Sequence, residues 1–257
     1  MARILVTGSA DGLGLLAARQ LVEARHSVVL HARSDTRADD ARRSLPGAEA
    51  VVVGDLASLA ETRRIAEQVN RLGRCDAVIH NAAVGYRPPL VRTAEGLPQV
   101  FAVNTLAAYV LTALVERPKR LVYMSSGMHK GAGSSLDDVE WTKRRWQGAS
   151  AYAESKLQDV LLAFAVARRW PSVFSNAVNP GWVPTKMGGP GAPDDLDEGA
   201  RTQAWLAASE EPAALVSGKY FHHSRQQACD PAAHDVSRQD RLLEICRSLS
   251  GTALPDA

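Results

Sequence analysis

The chain opens with Arg3-Ile4-Leu5-Val6-Thr7-Gly8-Ser9-Ala10-Asp11-Gly12-Leu13-Gly14, a short apolar run that reads as a strand entering a glycine-rich turn. Beyond it, Leu13, Ala17 and Leu21 recur at helical spacing to about Arg25. A strand, a glycine turn and a helix start form a seat for a pyrophosphate. Glycine lets the backbone come close, and the helix N-terminus offers free N–H groups and a positive dipole. The order Gly-x-x-x-Gly-x-Gly departs from the Gly-x-Gly-x-x-Gly of most dinucleotide folds, and a purely structural turn accounts for the run nearly as well.

The same alternation continues down the chain. Apolar strands are expected at 27–31, 50–53, 77–79, 120–124, 173–178 and 218–221, with helical patterns between them. Strand and helix in alternation imply an α/β fold, a doubly wound parallel sheet of Rossmann type in one domain over 1–257. In such sheets ligands gather at the strand C-termini. That edge should carry Arg33 after the second strand, Asp55-Leu56 after the third, Asn81-Ala82-Ala83 after the fourth and Ser125-Ser126 after the fifth. Arg33, with no acid at Ala32, suits a 2′-phosphate on the adenosine ribose, although a solvated arginine opening a helix is the plainer alternative. Ser58 and Glu61, and later Ser237 and Asp240, have the spacing of capping boxes. Pro98 suits the first position of a helix through Asn104 to Leu114, in which Asn104 is a polar residue among apolar ones. Two substrate loops are expected, around 127–150 and 186–210. The second contains the glycine- and proline-rich run Gly188–Pro193, which cannot continue a helix.

Composition narrows the classes. With 257 residues and 46% hydrophobic content the chain can bury a substantial core, and a net charge of +2 makes no case for nucleic acid. The pairs Arg63-Arg64, Arg144-Arg145 and Arg168-Arg169 read as solvated helix faces. No apolar run approaches the ~18 residues of a membrane span, and the N-terminus lacks a signal-peptide pattern. Cys75, Cys229 and Cys246 are few and far apart, as expected of reduced thiols in the cytoplasm. His222, His223, Cys229 and His234 have no zinc-ligand spacing, adjacent histidines are expected to point apart, and no metal is expected.

A second stretch, Ala149-Ser150-Ala151-Tyr152-Ala153-Glu154-Ser155-Lys156-Leu157, begins a helix expected to reach about Arg169 before Pro171. Residues four apart share a helix face, so Tyr152 and Lys156 look out together. A cation ~4 Å from a phenol is worth roughly 4 kcal/mol at an effective dielectric of ~20, lowering the phenol by roughly three pH units and into the range of useful acid–base chemistry. Taken alone, Tyr-x-x-x-Lys is more often a half-buried tyrosine beside a solvated lysine.

Together the motifs resemble the short-chain dehydrogenase/reductase family over essentially the whole chain. They run in order: Thr7-Gly8-x-x-x-Gly12-x-Gly14, Asp55-Leu56, Asn81-Ala82-Ala83, Asn104, Ser125-Ser126, Tyr152-x-x-x-Lys156 and Pro180-Gly181-x-x-x-Thr185. The long segment before Tyr152, with Trp141, looks like the retinol-dehydrogenase-like branch. The resemblance implies a hydride transfer between a nicotinamide cofactor, NADP(H) favoured over NAD(H), and a carbonyl or alcohol. It implies that Gly8, Gly12, Leu13 and Gly14 carry the pyrophosphate, Asp55 and Leu56 the adenine, and Asn81 and Ala82 the adenosine and ribose region. Pro180, Gly181, Val183 and Thr185 would border the nicotinamide, and Lys156 would hold its ribose. Catalysis would fall to Tyr152 as proton donor or acceptor, Ser126 (rather than Ser125) bonding the substrate oxygen, Lys156 lowering the phenol, and Asn104 holding a water that links Lys156 to solvent. Asp11 stands where many NADP-using members carry a basic residue, so the cofactor preference rests on Arg33.

Two other classes compete: a non-catalytic dinucleotide-sensing regulator, which has no use for a serine, tyrosine and lysine together, and a sugar-nucleotide epimerase, which needs a larger C-terminal domain. The expected partner is a small carbonyl or alcohol, with no nucleic acid and no membrane; a homo-oligomer is left open. Met128, Trp141, Trp146, Trp182 and Met187 are the available pocket walls and favour an apolar substrate, while Trp141 and Trp146 are equally suited to pinning the long segment to the body.

Overall fold

In the computed structural model, which describes residues 1–87, 89–133 and 136–256, the opening strand β1 (Arg3–Val6) lies inside an eight-stranded sheet. The other strands are β2 (Ser27–Ala32), β3 (Ala50–Val53), β4 (Ala77–His80), β5 (Arg120–Met124), β6 (Phe174–Asn179), β7 (Tyr220–His222) and β8 (Arg225–Gln227). Their order is β3-β2-β1-β4-β5-β6-β7-β8, parallel throughout except that β8 runs antiparallel to β7. Leu5 pairs with Val29 on one side and Val78 on the other. All three side chains are buried, as expected of a parallel sheet covered on both faces.

Helices α1 (Gly12–Glu23), α2 (Asp35–Ser44) and α7 (Leu196–Ala208) cover one face through a core that includes Ala17, Leu21, Leu30 and Ala204. The opposite face carries α3 (Leu59–Arg71), the short α4 (Gln99–Phe101), α5 (Ala107–Leu114), α6 (Gly148–Arg169) and α8 (Val236–Ser250) around Ile65, Leu106, Leu157 and Leu242. The chain order reverses between β1 and β4. That opens a crevice at the strand C-termini, beneath the Thr7–Gly14 turn.

Several local expectations are corrected. The helix expected as one piece through Asn104 is broken by a π turn, Ala102–Leu106, between α4 and α5, and Pro98 caps it from outside with ψ of 129°. Ser58 does cap α3, but the Glu61 carboxylate accepts from the Asp55 N–H at 2.7 Å and so braces the turn after β3. The closing helix is capped by Asp235, two residues before Ser237, because its carboxylate accepts from the N–H groups of Ser237 and Arg238. The second loop, expected around 186–210, gives way at Leu196 to α7, which Asp195 caps. The hairpin strand β8 was not anticipated, since Arg225-Gln226-Gln227 is exposed and carries no apolar signal. Among the described residues no helix is long and apolar enough to cross a membrane.

Candidate active site

The glycine turn is built by close packing. Gly8 has φ of +63°, and a Cβ there would stand 2.8 Å from the Ala82 Cα. At Gly14 a Cβ would meet the Asn81 Nδ2 at 2.5 Å and the Gly8 carbonyl at 2.6 Å. Gly12, with φ of +57°, faces open space, and Asp11 contributes no side-chain cap to α1. Backbone N–H groups at this helix start are therefore left for a ligand, and the turn fits a pyrophosphate.

Around it the motif residues act first as braces. Thr7 Oγ1 accepts from the N–H groups of Asn81 (2.9 Å) and Ala82 (3.0 Å), and Asn81 Nδ2 donates back to the Thr7 and Gly8 carbonyls. His31, which the sequence reading passed over, is buried under the turn. Its Nδ1 accepts from the Gly8 N–H at 2.9 Å while Nε2 lies 2.9 Å from the Gly54 carbonyl, so the neutral tautomer with Nε2–H satisfies both. Burial pushes its imidazole down, against the Gly54 carbonyl and Asp55, which pull it up. A histidine inside an otherwise apolar strand was the signal available for it.

Arg33 is exposed at the end of β2, and no hydrogen bond or ion pair is described for its guanidinium. Arg37 is held instead by Asp11 (2.6 Å) and Asp40 (3.2 Å), and Asp11 also takes the Lys186 ammonium at 2.7 Å. Asp55 Oδ1 accepts from the Ala57 N–H at 2.8 Å, which fixes the Asp55-Leu56 corner, and Leu56 is buried.

On α6, Tyr152 and Lys156 do share a face: the ammonium lies 5.6 Å from the centroid of the phenol ring. Lys156 is buried and donates to the Met124 carbonyl at 2.7 Å and to Asp159 Oδ2 at 2.9 Å. Burial alone would push this ammonium down; the Asp159 charge, with Tyr152, outweighs it and holds it above the usual lysine range. Burial lifts the Asp159 carboxyl to about 6 against the pull of Lys156, which leaves it ionised at neutral pH.

The two serines divide cleanly. Ser125 Oγ donates to the Lys156 carbonyl at 2.7 Å and is buried, whereas Ser126 Oγ accepts from the Met128 N–H at 3.2 Å and donates to no partner among the described residues. Asn104, in the π turn, accepts from the Val84 N–H (2.8 Å) and donates to the Val84 carbonyl (3.1 Å) and Ser155 Oγ (2.9 Å). Its described bonds reach the strand-end loop and α6, none of them Lys156 itself. After β6, Gly181 has φ of +88°, Val183 is buried, and Thr185 Oγ1 accepts from the Gly188 N–H at 3.2 Å. Gly199 of α7 packs so closely that a Cβ would lie 2.7 Å from Val183 and 3.3 Å from Leu13, tying this loop to the glycine turn.

The expected walls separate into two groups. Trp141 is buried against Trp146, Val100 and Ala151 and pins the long segment, with the Arg144 guanidinium 3.7 Å over its ring. Arg144 is no solvated helix face: it grips both oxygens of the buried Glu154 at 2.6 Å. Met128 and Trp182 remain exposed, and Met187 lies over Gly85. Tyr86, not foreseen, meets the Tyr152 ring edge-on at 5.8 Å. A depression of about 550 Å³ beside the start of α6 is lined by Met128, Trp141, Ala149 and Ala153 but also by Lys130, Arg144 and Arg145, so basic groups stand beside the expected apolar walls. His222 and His223 stack at 3.8 Å rather than pointing apart, because His223 and Ser224 both turn through positive φ. Among the described residues no cluster of His, Cys, Asp or Glu could hold a metal.

Comparison with known proteins agrees with this arrangement. The family model for short chain dehydrogenases matches residues 2–195. An uncharacterised oxidoreductase of Emericella nidulans is 46% identical over 99% of both chains, and human retinol dehydrogenase 14 is 30% identical over 96% of this chain and 86% of its own. A crystal structure of an uncharacterised protein from Mycobacterium paratuberculosis superposes with a TM-score of 0.86 at 26% identity, covering 99% of this chain and 95% of that one. A glycine turn between β1 and α1, a Tyr–Lys pair on one helix face and a family match over most of the chain converge on one conclusion: this protein belongs to the short-chain dehydrogenase family, on its retinol-dehydrogenase-like side, and is an oxidoreductase.

Proposed function

We propose that the protein interconverts an apolar carbonyl compound and its alcohol with NADP(H), Tyr152 serving as the acid–base group. The observation that carries this reading is the shared face of Tyr152 and the buried Lys156 on α6, with the Lys156 ammonium bonded to the Met124 carbonyl at the end of β5, two residues before Ser126. The nicotinamide group supplies the hydride chemistry. Gly8, Gly12, Leu13 and Gly14 would hold its pyrophosphate, Asp55, Leu56, Asn81 and Ala82 the adenosine side, and Pro180, Gly181, Val183 and Thr185 the nicotinamide side. The free guanidinium of Arg33 favours a 2′-phosphate. Ser126 donates a hydrogen bond to the substrate oxygen and so stabilises the negative charge that grows there in reduction. Tyr152 delivers the proton to that oxygen, and in oxidation removes it. Lys156 offers its remaining donor to the ribose, and Asn104 keeps the Val84 loop against α6.

The exposed Met128 and Trp182, with Met187 over Gly85, favour an apolar substrate, since an unpaired anion against them loses its hydration without a partner. Lys130 and Arg145 at the neighbouring depression are the features that would favour an acidic one instead. A regulator that only senses the dinucleotide gains nothing from Ser126, Tyr152 and Lys156 together.

The test is a panel of bulky apolar, small polar and carboxylated aldehydes and ketones with each cofactor, read by nicotinamide absorbance. Apolar carbonyls should show the highest kcat/KM. Tyr152→Phe should lower kcat by about 10²–10⁴-fold while NADPH still binds within a few-fold of wild type. Near-native turnover by Tyr152→Phe would sink the acid–base assignment; a preference for carboxylated substrates would sink only the apolar pocket.

A further inference from the structure

Lys156 reaches the site through the protein interior rather than from solvent: the lysine and Asp159 side chains are each only 3% exposed, and their charged atoms are 2.9 Å apart. A buried ammonium is costly unless a countercharge sits beside it. The ionisable groups acting on Lys156 are Asp159 and Tyr152, both on α6. On β5, Tyr123 faces Asp159 and is neutral, because burial drives its phenol up. Of the other elements packed against α6, β6, the π turn and α4 contain no ionisable residue, and neither Arg120 of β5, His129, His234 nor the charged residues Arg238, Asp240, Arg241, Glu244 and Arg247 of α8 act on Lys156. The carboxylate one turn along the same helix is thus the compensating charge available to the lysine among the described residues.

We propose that Asp159 is a positioning residue of the reaction: it keeps the Lys156 ammonium charged and aimed, together with the Met124 carbonyl, so that the lysine meets cofactor and phenol as a fixed cation. This rests on the reading of Tyr152 and Lys156 given above. Two of the three ammonium protons are taken by Met124 and Asp159, leaving one direction for the ribose and phenol side. A lysine free to swing on its four-carbon stem would lose that direction. Without the carboxylate, burial acts on the ammonium with only Tyr152 opposing it, and the lysine would give up its proton more readily.

Asp159→Asn separates charge from shape, because the amide oxygen can still accept from Lys156 while the negative charge is gone. NADPH affinity, followed by its fluorescence on binding, is measured from pH 6 to 9 together with a lysine ¹³Cε titration that assigns Lys156 through Lys156→Met. Wild type should bind with little change across that range. Asp159→Asn should bind nearly as well at pH 6 and lose about tenfold or more by pH 9, with Lys156 titrating inside the window. A residue that merely fills space would lower stability without bending the pH profile. Identical pH profiles in the two proteins overturn the inference. So does a wild-type Lys156 found neutral at pH 8, a measurement that needs no folded variant at position 159. Failure of the acid–base reading is distinguished by Tyr152→Phe turnover, on which neither the binding nor the lysine titration depends.

Discussion

Gly14→Ala should damage this protein although alanine is the better helix former. Gly14 lies in the first turn of α1, where alanine gains up to about 1 kcal/mol by propensity. The added methyl, however, would stand 2.5 Å from the Asn81 Nδ2, 2.6 Å from the Gly8 carbonyl and 3.0 Å from the Ser9 Cα. Two of these atoms are backbone, and the third is held by hydrogen bonds of 3.0 and 3.2 Å to Thr7 and Gly8, so none can swing aside. Overpacking of this kind costs about 1–3 kcal/mol, and a backbone that cannot yield places it at the upper end. The net loss should be about 2 kcal/mol, or a fall in Tm of roughly 4–8 °C for a chain of this size. Because the displaced atoms form the proposed pyrophosphate seat, NADPH affinity should fall at least tenfold as well. Thermal melts followed by circular dichroism and NADPH fluorescence titration measure the two effects. Gly191→Ala, where a Cβ meets nothing within 4 Å, is the matched control and should change neither. A Gly14→Ala protein that melts and binds like wild type would refute the close-packed turn.

Arg33→Ala should reduce NADPH affinity by about 10- to 100-fold, the value of a charge-assisted contact to phosphate, and leave NADH affinity within about twofold; equal losses for both would remove Arg33 from cofactor selection. Stability should fall between pH 6.5 and 5. His31 and His80 are buried neutral, and burial pushes the His80 imidazole down to about 3. A depressed histidine contributes stability that is complete above its unfolded value of ~6.5 and is lost as pH falls, about 2 kcal/mol by pH 5 for His80. Asp159, raised to about 6, opposes them by about 1.5 kcal/mol there, because its folded form takes up the proton first. His80 outweighs Asp159 and the loss at His31 adds to it, and urea midpoints that stay flat across this window would contradict the buried neutral histidines.

The strand C-terminal residues were legible in the sequence because a sheet buried on both faces writes continuous apolar runs, and each run ends where the polar residues of the strand-end loop begin. Leu5-Val6 leading to Thr7-Gly8 and Val122-Met124 leading to Ser125-Ser126 are such cases. The Tyr152–Lys156 face followed from helical period alone. Both signals are local, set by spacing along a few residues.

What the tertiary structure alone decided concerns direction and partnership between residues distant in the chain. Ser125 and Ser126 are neighbours of one type, yet Ser125 donates to a carbonyl 31 positions away and Ser126 does not, because successive side chains at a strand end point to opposite sides. Arg144 was indistinguishable from a surface arginine until folding placed Glu154 and Trp141 around it. His31 supports the glycine turn across 23 positions, and Asp159, although only one helical turn from Lys156, becomes a countercharge because β5 and the surrounding helices exclude water from the pair. The same Asp and Lys at this spacing on an exposed helix would be a weak surface pair. Sequence determined which groups the chain offers at the crevice; burial determined which of them carry charge there, since the free energy of an ionised group depends on the solvent that the whole fold removes.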